Sequence, residues 1–247
     1  MNVKKYLVTS LIAVTAVATL FNPGTAKAAE SESITTDGKI RFVKQDDSAI
    51  SPPVNPLNPD QTIDPADGET PYPGTGGPLS IDYASTFDFG NQEITGETKV
   101  YNAKLDKIKV DGSEIEVPNN VQITDNRGTN SGWQLNVSQN GQLKDAADRE
   151  LNGAKITIKK GTPTTKSDAD ITAPTANTEI NLNPNGDASS VMVADTEQGM
   201  GKWVDKFGVD NTEAADAVTL TVPGKSAKYA DSEYATTLTW TLSDTPE

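Results

Sequence analysis

The chain has 247 residues, with 21 Lys+Arg against 35 Asp+Glu, no His and no Cys. Without those two residue types there is no zinc finger, iron–sulfur cluster or disulfide framework, and no Ser–His–Asp or Cys–His nucleophile. A formal charge of −14 opposes a phosphate-backbone partner, so no nucleic acid is expected, while 34% apolar residues are few but enough for a packed domain.

Residues 1–28 read as a secretory signal. Lys4 and Lys5 form a basic start, residues 6–21 carry no charge, and Ala26-Lys27-Ala28 supplies a small-x-small cleavage pattern. An uncharged helix of that length spans about 24 Å, short of the ~30 Å bilayer core, so no membrane anchor is expected after cleavage. Removing this segment leaves 18 basic against 35 acidic side chains, a balance of −17. An exported chain without Cys fits a Gram-positive surface, and a tail with neither a hydrophobic run nor an LPxTG-type signal predicts non-covalent attachment.

Next, residues 34–43 read as one strand, with Ile40 and Phe42 alternating against Arg41 and Val43. Residues 52–78 hold eight of the fifteen prolines. Proline lacks an amide donor and pushes the preceding residue to extended geometry. That tract reads as an extended acidic linker, or as an irregular loop on the domain surface. The expected layout is therefore a signal at 1–28, a strand segment at 29–51, a linker at 52–78 and a β domain at 79–247. Within that domain short apolar runs fall at 81–83, 87–89, 99–105, 114–123, 133–137, 154–159, 179–182, 191–193, 218–222 and 237–242. Asp111-Gly112, Asn140-Gly141 and Asn152-Gly153 punctuate them with residues that accept the positive φ of tight hairpins. This spacing predicts an all-β fold, a β-sandwich or partly open barrel of short antiparallel strands. Only 144–151 and 214–217 look helical.

Two segments share a pattern: Gly132-Trp133-Gln134-Leu135 and Leu238-Thr239-Trp240-Thr241-Leu242. On a strand, residues two apart share a face, so Trp133, Leu135 and Val137 form one apolar row and Leu238, Trp240 and Leu242 another. Each row suits a core anchor; the alternative is a pair of exposed aromatics that stack on sugar rings or on a partner. Of the two, Trp240 is expected to be the firmer core anchor, because Gly132 and the polar stretch 126–131 place Trp133 near a strand end.

The run Tyr234-Ala-Thr-Thr-Leu-Thr-Trp240-Thr-Leu242-Ser-Asp-Thr-Pro246, with Trp133-Gln-Leu135 upstream, resembles the paired signature of the WxL domain. Gly77-Pro-Leu-Ser-Ile-Asp-Tyr83 and Phe87-Asp-Phe-Gly90 resemble the segment that opens such domains. The resemblance implies a bacterial surface protein held non-covalently on the Gram-positive cell wall, with peptidoglycan as ligand. It also implies assembly with other WxL-related surface proteins, in adhesion or polysaccharide capture. Trp133, Leu135, Tyr234, Trp240 and Leu242 carry over as the wall-binding motif, with the structural reading of the same residues kept beside it.

An enzyme is not expected. A glycosidase needs two carboxylates across a sugar bond, but with 35 acids every chosen pair is uninformative. A surface-displayed polysaccharide hydrolase remains the alternative from another class, and a scaffold without direct wall contact is a third. Asn183-Pro-Asn185-Gly186-Asp187 lacks the acidic spacing of a calcium loop and reads as a turn, and no cofactor or metal is expected. Trp203 and Phe207, between flanking glycines and beside Lys202 and Lys206, read as an exposed contact at a loop tip, or else as a lid packed on the sandwich.

Overall fold

The computed structural model describes residues 32–65 and 74–244; the signal segment, the middle of the Pro-rich tract and residues 245–247 lie outside that description. The chain divides into two units, one running up to Arg41 and one from Phe42 onward. Residues 32–41 form neither strand nor helix. The strand expected over 34–43 is therefore absent, and Ile34, Ile40, Phe42 and Val43 are all strongly exposed. Alternation marks a segment fit for a sheet, but a strand also needs a neighbour to take its N–H and C=O groups.

In the second unit the strands are, in chain order, β1 (Val54–Asn55), β2 (Asn58–Thr62), β3 (Asp64–Pro65), β4 (Leu79–Ala84), β5 (Lys99–Asn102), β6 (Asp106–Val110), β7 (Ser113–Val117), β8 (Asn120–Asp125) and β9 (Trp133–Gln139). There follow β10 (Lys155–Lys159), β11 (Gly161–Thr164), β12 (Thr175–Ala176), β13 (Glu179–Asn181), β14 (Ser189–Ala194), β15 (Gly201–Phe207), β16 (Val218–Val222) and β17 (Leu238–Ser243). The helix α1 (Asn211–Ala214) lies between β15 and β16, where the Asp210 carboxylate accepts from the Thr212 and Glu213 amides at 2.9 Å and caps it.

Three open four-stranded sheets run β13-β10-β16-β5, β11-β15-β8-β4 and β12-β14-β9-β17, beside the hairpin β1-β2 and the three-stranded β3-β6-β7. The described pairings are antiparallel and no sheet closes on itself, so the fold is of the sandwich kind rather than a barrel. One core joins the three larger sheets, with Val121, Ile123, Leu135, Ile158, Met192 and Leu220 among its buried members. A second, smaller core of Ile63, Ile108 and Val117 lies under β6 and β7. The turn joining those two strands is Asp111-Gly112, with φ of 50° and 80°, the left-handed pair that a two-residue hairpin demands.

The Pro-rich tract is not a free linker over its described part. The Val54 amide donates to Gln122 Oε1 at 2.8 Å, and Gln122 Nε2 returns a bond to the Val54 carbonyl at 2.8 Å. The Gln122 side chain thus acts as a strand partner for β1. This explains why β8 is buried along its whole length: Val121 and Ile123 face the core, while Asn120, Gln122 and Thr124 lie under cover on the other side. The run at 114–123 is two strands, broken at Pro118-Asn119. Residues 144–151 are not helical, because the Asp145 carboxylate accepts from the Ala147 and Arg149 amides at 3.0 Å and holds a turn instead. Residues 87–89 form no strand, yet Phe87 packs edge-on to Phe207 with ring centroids 6.2 Å apart.

Candidate functional site

The fold brings the two Trp-x-Leu segments side by side. β9 and β17 pair antiparallel without a register shift, placing Leu135 opposite Leu242, Val137 opposite Trp240 and Gln139 opposite Leu238. Paired residues share a face, so the two apolar rows merge into one surface on the core side of the sheet. Their burial differs because of strand order. β9 lies between β14 and β17, whereas β17 is the last strand of its sheet.

Trp133 is completely buried, and its Nε1 donates to the Gly199 carbonyl at 3.0 Å. The approach is so close that a Cβ on Gly199, at φ +69°, would sit 2.7 Å from that nitrogen and 2.5 Å from the Ala194 Cβ. Gly132, at φ +78°, is held as tightly: a Cβ there would lie 2.2 Å from the Ala194 carbonyl oxygen. Gly199 is thus the condition for seating the indole, and Gly132, which suggested a strand end, is the condition for the close approach of the chain to Ala194 and Asp195. Leu135 is buried as well. Trp240 and Leu242 pack against the same core but are half-buried. The expected order of the two tryptophans is reversed, and the cause is that β17 has a neighbour on one side alone.

Tyr234 is also half-buried against the core, and its hydroxyl accepts from the Tyr229 amide at 3.3 Å. The Arg149 guanidinium lies 3.6 Å above the Tyr229 ring and pairs with Asp145 at 2.5 Å, holding that carboxyl below its ordinary range. Asn140 Nδ2 donates to the hydroxyls of Thr237 and Thr239 at 2.9 and 2.8 Å, tying the approach to β17 to the turn after β9.

Trp203 and Phe207 are not an exposed contact. Both lie on β15 and are buried, at 3% and 1% exposure, in the main core. Residues four apart share a face on a strand as they do on a helix, and here the strand brings both rings inward. The neighbouring lysines are engaged: Lys202 pairs with the buried Asp82, and Lys206 Nζ donates to the Val209 carbonyl at 2.9 Å.

Between those two rings, on the same face, sits Asp205. It has no solvent exposure, and neither carboxylate oxygen has a well-formed hydrogen bond. The Thr162 amide is near enough to favour the charged form slightly, but burial dominates and pushes the carboxyl up to about 8. Sequence reading passed over this residue, because an acid between two aromatics on a strand looks like a break in the apolar pattern rather than part of the core.

Residues 183–187 form a turn in which Asn183 and Asn185 both donate to the Asp187 carboxylate, at 3.0 and 2.7 Å. Among the described residues no helix is long and apolar enough to cross a membrane.

The family model described as WxL domain surface cell wall-binding matches residues 29–246, nearly the whole chain. The chain belongs to the WxL family. No curated protein and no solved structure matches it significantly. The WxL match begins well before β4 and takes in the Pro-rich tract, in keeping with the seating of β1 on Gln122. Membership makes this a surface protein of the cell-wall-binding kind. Within its WxL ladder the proximal motif is internal, and the distal motif keeps accessible surface.

Proposed function

We propose that this WxL protein is exported by removal of residues 1–28 and attaches non-covalently to peptidoglycan, without catalysis, through the accessible part of its distal motif. The contact residues in this reading are Tyr234, Trp240 and Leu242. The observation that carries it is the unequal burial across the β9–β17 ladder. Trp133 and Leu135 have no surface left to offer a ligand, whereas Trp240 and Leu242 are held by the core and still open on one side. An aromatic ring fixed from behind and open in front is suited to stacking on a sugar ring, since its rotamer is already ordered before binding. Assembly with other WxL-related surface proteins, in adhesion or polysaccharide capture, is part of the same proposal and is supported by family membership.

The test is sedimentation of the purified secreted chain with purified peptidoglycan and no other protein. Direct attachment predicts that the chain pellets with the wall, and that Trp240→Ala lowers retention about tenfold or more while the protein stays folded, as for an anchor that dominates an interface. A wild-type chain that stays in the supernatant would favour a scaffold that reaches the wall through partner proteins.

A further inference from the structure

The outer strands of the sheets differ in how they are protected. Unpaired edges invite further strands, and natural proteins blunt them with charge, proline, bulges or shortness. β2 carries Pro59 and Asp60, β7 carries Glu114 and Glu116, β11 carries Pro163, and β12 has two residues. β4 is bulged between Ile81 and Tyr83, β5 begins with Lys99, and β13 is a three-residue strand opening on Glu179. β17 has none of these devices. Leu238-Thr-Trp-Thr-Leu-Ser243 is uncharged, free of proline, in unbroken register with β9, and half-buried along its apolar row.

The same chain carries a strand-patterned segment that lacks a sheet. Over residues 38–43 no strand forms, although Ile40 and Phe42 alternate with Lys39 and Arg41, and those two apolar side chains are 80% and 86% exposed. Six residues of extended chain span about 20 Å, the length of β17. Charge does not oppose the pairing, since β17 itself carries none. Residues 38–44 hold Lys39, Arg41 and Lys44 and no acid, while the chain as a whole is strongly acidic. Position favours it. The Gln45 amide donates to the Asn126 carbonyl at 3.2 Å, and the adjacent Arg127 donates through Nη1 to the carbonyl of Asp244, the residue after β17, at 3.2 Å. Gln45, two residues past the end of the segment, therefore lies near the end of the edge that the segment matches.

We infer that the free edge of β17 receives residues 38–43 of a second copy, so that two chains exchange these segments reciprocally about a two-fold axis. Every copy carries both the donor segment and the acceptor edge, so one closed pair satisfies both at once. The added strand places Ile40 and Phe42 beside the half-covered row of Leu238, Trp240 and Leu242, and gives the outward N–H and C=O groups of β17 their missing partners.

This inference goes beyond wall attachment and does not rest on it, since it is read with no wall present; the added strand covers the half-buried row that wall attachment would use, so dimer and wall compete for it. Sedimentation equilibrium of the secreted chain from about 1 to 200 μM should show a monomer–dimer equilibrium. Ile40→Asp/Phe42→Asp, in a segment the core does not use, should weaken association at least tenfold with an unchanged melting transition. Thr241→Lys, an exposed position set against Lys39 and Arg41 in the exchanged pair, should do the same. A chain monomeric throughout that range overturns the inference, as does a dimer that survives the paired aspartates. Loss with the aspartates but not with Thr241→Lys shows that the segment docks elsewhere, and overturns β17 as its acceptor.

Discussion

Trp133 and Trp240 share the Trp-x-Leu pattern, and what separates their burial is whether a further strand lies beyond. Trp133 fills a closed site with Gly199, which cannot carry a Cβ, as one wall, and its indole N–H is spoken for by the Gly199 carbonyl. Trp133→Ala should therefore cost roughly 3–5 kcal/mol through lost burial and a residual cavity, a large share of the ~5–15 kcal/mol that holds a domain. Trp240→Ala removes a half-buried ring and should cost about 1–2 kcal/mol. Paired thermal melts should show a collapse of the transition for Trp133→Ala and a modest decrease for Trp240→Ala. Equal losses would contradict the edge position of β17 as the cause. Asp205 makes a second case at this scale. Its carboxyl titrates near 4 in the unfolded chain and at about 8 in the fold. Between those values the folded state holds a proton that the unfolded state has released, so the contribution of Asp205 to stability is most favourable below pH 4, declines as pH rises and levels off above 8. Asp205→Asn, which cannot ionise, should raise the melting temperature by several degrees at pH 7.5 and by much less at pH 4.5. A shift of the same size at both values would show that ionisation is not what limits the native protein.

Among the elements, those with strong period-2 patterns and β-branched residues were legible from sequence alone: β16 matches the expected 218–222, and β9, β10 and β14 lie within a residue or two of expectation at one or both ends. β15 was missed for a physical reason. Asp205 interrupts its apolar row, and the flanking Gly199 and Gly201 imitate a loop. β6 hid because Asp106-Lys-Ile-Lys-Val110 is short and charged on its outer face, and β11 because it contains Gly161 and Pro163. The candidate site was legible as a pair of motifs, but not as a ladder. Periodicity assigns residues to a face and says nothing of which strand ends a sheet. The Pro-rich tract shows the opposite limit, for composition argued against structure there while a single glutamine supplies it. Gln122→Ala removes both bonds to Val54 and should release β1 and β2 from β8. Limited proteolysis should then cut within residues 52–63 at protease levels that leave the wild-type chain whole, with the C-terminal body intact. Equal resistance would mean that apolar contact through Val54 and Ile63 suffices.

Over the whole molecule, the acidic excess shapes how it meets a wall rich in phosphate and carboxylate. Long-range steering is repulsive there, so it opposes attachment that rests on short-range contact. Salt shortens the Debye length to ~8 Å near physiological strength, and acid begins to protonate carboxylates near pH 4–5. Retention on purified peptidoglycan at low salt should rise from pH 7.5 to 4.5, and moderate salt should strengthen it at neutral pH. Binding that weakens steeply with salt would point to a basic ligand site instead. The two separate cores have a consequence of another kind. Ile63, Ile108 and Val117 form a satellite under β3, β6 and β7, with few apolar groups to hold it and one hairpin to hold it with. Such a unit can open and close while the main core stays shut, so the molecule has two clocks. Amide hydrogens of β6 and β7 should exchange with deuterated solvent orders of magnitude sooner than those of β8, β9 and β15, and the small hairpin should record events too brief or too local to register in a melt.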